Sequence, residues 1–166
     1  MERANSDRLF AGVADTQAPQ GIAALVQTTQ ATVENLLRGC ALVVVLVGVQ
    51  DPGNVGTILR AAEAFGATGA ATCSADARGT ADPLGPKALR ASAGSALRLP
   101  VLHGLPASGL LSKLRAAGVK LYAATKETSE QAPRSGLPSL RPWEADWKSA
   151  AALLIGNEGA GLPEEI

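Results

Sequence analysis

Two short segments hold the residue types from which a polar reaction centre could be built. The first, Asp51-Pro52-Gly53-Asn54-Val55-Gly56-Thr57-Ile58-Leu59-Arg60, directly follows the apolar run 41–49 (ALVVVLVGV). Asn54 is a good N-cap for a helix whose Val55, Ile58, Leu59, Ala62 and Phe65 form an apolar stripe. Thr57, Arg60 and Ala64 fall on another face, with Arg60 about one and a half turns in and aimed away from the core. In an open α/β sheet, ligands collect at the carboxyl ends of the strands, where this segment begins. Spacing alone leaves a structural role open as well, with Asn54 only a cap and Arg60 a solvated charge beside Glu63.

The second segment is Leu153-Leu154-Ile155-Gly156-Asn157-Glu158-Gly159-Ala160-Gly161-Leu162-Pro163. An apolar strand runs into a glycine-rich turn carrying one carboxylate, then into a helix start. Glycines at such a turn permit close backbone approach, which suits a nucleoside held by main-chain groups. Any strand-to-helix turn could contain them. The glycine spacing is neither a dinucleotide fingerprint nor a P-loop, and no Gly-Lys-Ser/Thr occurs. Hydride transfer and ATP-driven chemistry are disfavoured on that account.

Other conspicuous residues read as structural. His103, the single histidine, is expected at a strand end rather than as a general base, and Trp143 and Trp147 are expected to pack a loop against the sheet. Asp146 reads as a surface charge close to Lys148. Cys40 and Cys73 form no metal or redox motif and are expected to be buried free thiols in a reducing cytoplasm. No metal ligand cluster is apparent. Lys87, Arg90 and Arg98 lie in a stretch, 83–98, that contains no acid. They are candidates for gripping the phosphate backbone of a nucleic acid, or an ordinary solvated face.

The elements that must position these residues alternate. An apolar run at 21–26 suggests a strand and 28–38 a helix stopped by Gly39; 41–49, β-branched without alternation, predicts a strand covered on both faces. A helix at 54–65, strand at 68–73, helical turns at 86–93, strand near 99–102, helix at 107–117 and strands at 119–124 and 150–155 complete the pattern. Alternation of this kind predicts an α/β domain with a mainly parallel sheet flanked by helices. Residues 129–142, with three prolines and no apolar period, predict a mobile loop. The 166 residues suit one domain, with 46% apolar but only 3% aromatic residues, so Ala, Val and Leu must fill the core. Net charge is zero, so any affinity for nucleic acid must come from a local basic patch. No apolar run reaches membrane-spanning length, and the expectation is a cytoplasmic protein without membrane contact.

In this order and at this separation, "DPGNVGTILRAAEAFG" and "LLIGNEGAGLPEEI" resemble the first two motifs of the SpoU (TrmH-type) RNA 2'-O-ribose methyltransferases of the SPOUT superfamily. The intervening "KALRASAGSALRLPV" is similar to the family's connecting segment, so the resemblance covers roughly residues 40–166. Residues 8–26, with "PQGIAAL", resemble the tail of a preceding substrate-binding domain, placing the domain boundary between 1–38 and 39–166 and favouring rRNA over tRNA.

The resemblance implies S-adenosylmethionine as methyl donor, no metal, a trefoil-knotted fold and a homodimer in which Arg from one subunit reaches the other's cofactor site. It implies Asn54, Arg60 and Glu158 as the catalytic set around a ribose. Leu154, Ile155, Gly156 and Asn157 would bind cofactor through backbone groups, with Thr125 on a second loop. A guanidinium stays charged and is a poor plain base. Arg60 is therefore expected to hold an RNA phosphate and stabilise the developing alkoxide. The family's third motif, an Asn-containing "SLNVS"-type segment, is absent, and Leu162-Pro163-Glu164-Glu165 reads as a helix start interrupted one residue later. The expectation is a chain cut inside a larger fold, with an incomplete cofactor pocket. Two rival readings follow: a non-catalytic RNA-binding or dimerisation module, and a small-molecule enzyme on a generic nucleotide-binding fold.

Overall fold

Six consecutive residues, Leu42–Val47 (LVVVLV), set the architecture: five are buried, so the strand they form must be covered on both faces. The computed structural model describes residues 10, 12, 14, 21–28, 30–74, 79–125, 139–163 and 166. In chain order the elements are α1 (Val33–Leu36), β1 (Leu42–Val47), α2 (Pro52–Ala64), β2 (Gly69–Ser74), α3 (Pro86–Ser92), α4 (Ser95–Arg98), β3 (Val101–Pro106), α5 (Ala107–Ala116), β4 (Lys120–Ala123) and β5 (Ala151–Ile155). The strands form one sheet in the order β3-β2-β1-β5-β4, and every pairing is parallel. The predicted α/β class with a parallel sheet flanked by helices is therefore what the chain adopts.

Strand alternation sorts the core into two layers. Val43, Val45, Val47, Ala152 and Leu154 pack with Leu36, Leu110, Leu111 and Leu114, while Val44 and Leu46 pack with Val55, Leu59, Ala62 and Ala96. Each fully buried Val or Leu contributes about 1.5–3 kcal/mol, which offsets the scarcity of aromatics. Gly56 is the point of closest helix approach: a Cβ there would overlap the Ala88 carbonyl oxygen and lie 2.8 Å from Ser92 N. Only a glycine lets α2 and α3 touch backbone to backbone.

Several expectations change. Residues 21–26 are exposed and belong to no strand, with Ile22 87% and Leu25 104% exposed. An apolar run without a ladder partner has nothing to pair with. The 28–38 helix contracts to α1, whose start is fixed by Thr32 N donating to Asn35 Oδ1 at 2.9 Å. Phe65 leaves the apolar stripe because α2 ends at Ala64; Phe65 is its C-cap and is 85% exposed. The strand expected near 99–102 runs from Val101 to Pro106, so exposed His103 sits within edge strand β3, not at its end. Gly104 (φ 72°) takes up the register shift against β2.

Trp147 does pack on the sheet, its ring 5.0 Å from Tyr122 of β4, but Trp143 is 74% exposed and lies under Arg141. Cys73 is buried, and burial pushes its thiol up to about 11; Cys40 is exposed. Asp146 is more than a surface charge: it pairs with Lys120 and accepts from Ser149 Oγ at 2.6 Å, which holds its carboxyl well below the usual range. Most of the expected loop, 129–138, lies outside the described residues, as do Glu164 and Glu165 of the expected terminal helix. Among the described residues, no helix is long and apolar enough to cross a membrane.

Candidate active site

The chain leaves β1 for α2 and β2 on one side, then returns from β3 through α5 to β4 on the far side. The strand order therefore reverses between β1 and β5, and a crevice opens at their carboxyl ends. Both chemistry-bearing segments emerge there. After β1, Gly48 turns with φ 71°, and Asp51 caps α2, its Oδ1 accepting from Gly53 N at 2.7 Å and from Lys87 Nζ at 2.7 Å. Asn54 is consequently not the N-cap. It lies within the first turn, and its side chain is released to reach across the crevice.

What it reaches is Glu158. Asn54 Nδ2 donates to Glu158 Oε1 at 2.9 Å, joining residues 104 apart in sequence. That hydrogen bond, supported by backbone amides including those of Gln50 and Asp51, holds the Glu158 carboxyl below the ordinary carboxylate range. The turn bearing Glu158 is tight. A Cβ on Gly156 would overlap the backbone of Gly161 and Leu162, so the 157–161 turn folds directly over it. Asn157 and Gly161 exchange two backbone hydrogen bonds of 2.9 Å, closing the turn.

Val49, Asn54, Thr57, Ile58, Ile155, Gly156 and Glu158 line a cleft of about 210 Å³ with an apolar floor and a polar rim. A larger cavity, about 320 Å³, lies between residues 26–35 and the α4–β3 segment. It carries no convergent pair like Asn54 and Glu158, so the smaller cleft is the functional candidate.

The SpoU rRNA Methylase family model matches residues 41–166. This chain belongs to that family. It is 35% identical over 158 residues to the 23S rRNA (guanosine(2553)-2'-O)-methyltransferase RlmP of Bacillus subtilis, covering 95% of this chain and 56% of that protein. With the 23S rRNA (guanosine-2'-O-)-methyltransferase RlmB of Xanthomonas campestris it shares 32% identity over 176 residues, covering 98% of this chain and 62% of that one. Among solved structures, the SpoU methyltransferase AviRb from Streptomyces viridochromogenes, in complex with AdoMet, superposes with a TM-score of 0.66 at 28% identity. That match covers 82% of this chain and 51% of AviRb. The chain thus spans a little over half the length of these relatives.

Within this SpoU domain the expected site residues divide. Asn54 and Glu158 meet, as do Ile155 and Gly156 at the cleft. Arg60 is exposed, lies outside the cleft lining, and has no hydrogen-bond or ion-pair partner among the described residues; its suggested partner Glu63 is held by Arg98 instead. Leu154 is buried, and its carbonyl accepts from Ala124 N at 2.8 Å, which sets Thr125 just beyond the adjoining strand end. Of the candidate RNA-binding cations, Lys87 pairs with Asp51 and Arg98 with Glu63, each at 2.7 Å; Arg90 is exposed on α3. Sequence reasoning missed Gln50, whose Nε2 ties Gly48 O (3.2 Å) to Gly79 O (2.7 Å), and the cleft residues Val49, Thr57 and Ile58. Thr57 carries a legible signal: it sits one helical turn beyond Asn54.

Proposed function

We propose that this chain is the catalytic domain of an S-adenosylmethionine-dependent RNA 2'-O-methyltransferase acting on structured RNA, with rRNA favoured over tRNA. The observation that carries the reading is the Asn54–Glu158 hydrogen bond at the β1/β5 switch point, built by the two segments that bring the chain into its family. The names of the relatives, which methylate rRNA ribose, give the same direction.

The residues fit a cationic nucleoside: Val49, Ile58 and Ile155 supply apolar surface, and the ionised Glu158 lies at the rim. Thr125 and the backbone of Leu154, Ile155 and Gly156 would hold the cofactor. Asn157, also expected there, has its donors engaged by protein partners. S-adenosylmethionine, when bound, supplies an electrophilic methyl group on a sulfonium, a reaction that asks for no metal. The protein's part is to orient the ribose. Asn54 holds Glu158 Oε1, and Oε2, which takes only a long 3.4 Å hydrogen bond from Asn157 Nδ2, keeps a lone pair to accept the hydrogen bond of the 2'-hydroxyl and its proton as the methyl group is transferred. Arg60 binds an RNA phosphate and stabilises the alkoxide as it forms. Its exposure, outside its own cleft, supports the homodimeric arrangement in which it serves the partner subunit's site. Lys87, Arg90 and Arg98 would contact the RNA backbone, residues 1–38 would belong to a substrate-binding domain and linker, and the free thiols suit the cytoplasm.

Calorimetric titration of S-adenosylmethionine, beside a Gly156→Val variant, followed by mass spectrometry of rRNA riboses, tests this reading. Binding that the variant abolishes and a ribose mass gain that Glu158→Gln lowers about 100-fold are expected. A folded chain that gives no heat with the cofactor refutes it.

A further inference from the structure

Asn157 has three hydrogen-bond donors, its backbone N–H and the two hydrogens of Nδ2. All are engaged within the protein. The backbone N–H goes to Gly161 O at 2.9 Å, and Nδ2 goes to Gly48 O at 3.0 Å and, more loosely, to Glu158 Oε2 at 3.4 Å. Its Oδ1 accepts from Gly159 N and Ala160 N, both at 2.9 Å, so the side chain also caps the turn it belongs to. A turn-forming Asn commonly does the last of these and nothing more. The bond to Gly48 is different in kind, because it spans 109 residues and ends just past β1, where the chain bends towards Asp51 and α2.

Two links therefore run between the same pair of segments. Asn157 ties the 157–161 turn to the end of β1, and Asn54 ties α2 to Glu158. Gln50 donates to the same Gly48 carbonyl at 3.2 Å, so the anchor point is itself braced. We infer that Asn157 is a positioning residue and not a cofactor ligand: its side chain fixes the Glu158 carboxylate opposite Asn54 by anchoring the turn to Gly48. Of the charged groups on the adjoining elements, Asp51 at the α2 cap is matched by Lys87 of α3 and Glu63 by Arg98 of α4, while Arg60 of α2 is exposed and lies outside the cleft lining. The inference rests on the proposed function only for what Glu158 is used for; the anchoring itself does not depend on it.

The test is a double-mutant cycle read by NMR titration of the Glu158 side-chain carboxyl in the 166-residue protein. The variants are Asn54→Ala, Asn157→Ala and the two combined. Either single change is expected to raise the midpoint towards the ordinary glutamate value of about 4.3, and the double variant to match Asn157→Ala alone, since the carboxylate is no longer presented to Asn54. Additive shifts, or a midpoint that Asn157→Ala leaves where it was, overturn the inference.

Should Asn157→Ala fail to fold, Asn157→Ser separates the two duties. Its hydroxyl can still accept from Gly159 N but is too short to reach Gly48. A Glu158 midpoint unchanged in Asn157→Ser overturns the anchoring; a raised one supports it. A wild-type protein that does not bind S-adenosylmethionine counts against the proposed function and leaves the titration cycle to decide this inference.

Discussion

Asn54 reaches Glu158 only because another residue does the capping, and the sequence carried the sign of this. Proline favours the first helical position, so Pro52 points to Asp51 as the cap and puts Asn54 inside the first turn. Both Asp and Asn are good caps, and reading Asn54 alone hid the difference. The family resemblance put Asn54 and Glu158 around one ribose, but the hydrogen bond between them was not legible, since nothing local specifies a bond across 104 residues. It has a consequence for pH. Glu158 is held below the usual carboxylate range, so the ionised form persists to lower pH than for an ordinary glutamate. Methyl transfer that needs this ionised carboxylate should fall only on the acid side of that range. In Asn54→Ala the acid limb of the pH–rate profile is expected to move up towards about 4.3. A limb that stays where it is would mean that Glu158 is not the group being protonated.

At the scale of elements, most of the fold was legible because hydrophobic period and turn residues agree. β1 was read from its unbroken β-branched run, and α5 from its period, and both fall within a residue or two of their expected ends. The apolar run at 21–26 failed for the opposite reason, since a strand is made by its neighbours and this one has none among the described residues. The close approach of α2 and α3 at Gly56 was invisible in the sequence, where Gly56 looked like one more glycine. An Ala there gains about 1 kcal/mol of helix propensity. Its Cβ, however, meets the Ala88 carbonyl and Ser92 N, backbone atoms that cannot rotate aside. Gly56→Ala is expected to lower stability by roughly 2 kcal/mol, read as a reduced urea midpoint with unchanged slope.

A second contact ties α2 to α4. Glu63 accepts from Arg98 Nε and Nη2 and from Ser95 Oγ, which depress its pKa to about 2. A depressed carboxylate stabilises the fold above its ordinary value of about 4.3, and that contribution is lost as pH falls towards 2. Acid unfolding of the wild type should therefore steepen within that window. Glu63→Gln should flatten it, with the loss of stability largest at neutral pH and vanishing towards pH 2, and its size reduced by the exposure of the pair to solvent.

At the scale of the whole molecule, the strand order β3-β2-β1-β5-β4 is what the sequence could not reveal. Local patterns announce strands but not which neighbours they take, and the reversal beside β1 is what brings residues 54 and 158 together. Electrostatics shows the same limit. The stretch 83–98 looked like a cationic patch because it contains no acid, yet Asp51 and Glu63 come from α2 to meet Lys87 and Arg98. With a net charge of zero, the cations free to replace counterions on a phosphate chain matter more than the number of lysines and arginines. Arg60 is such a cation among the described residues; Lys87 and Arg98 give up an ion pair for every phosphate they take. Fluorescence anisotropy of an rRNA fragment, measured across a salt series, separates the two kinds. Arg60→Ala should lower the slope of log affinity against log salt by about 0.7–0.9, the value of one phosphate neutralised. Lys87→Ala and Arg98→Ala should each change that slope by much less, because these cations are already neutralised by Asp51 and Glu63 before RNA arrives. Equal reductions in slope at all three positions would mean that RNA displaces Asp51 and Glu63 completely, making the 83–98 face a full part of the RNA track.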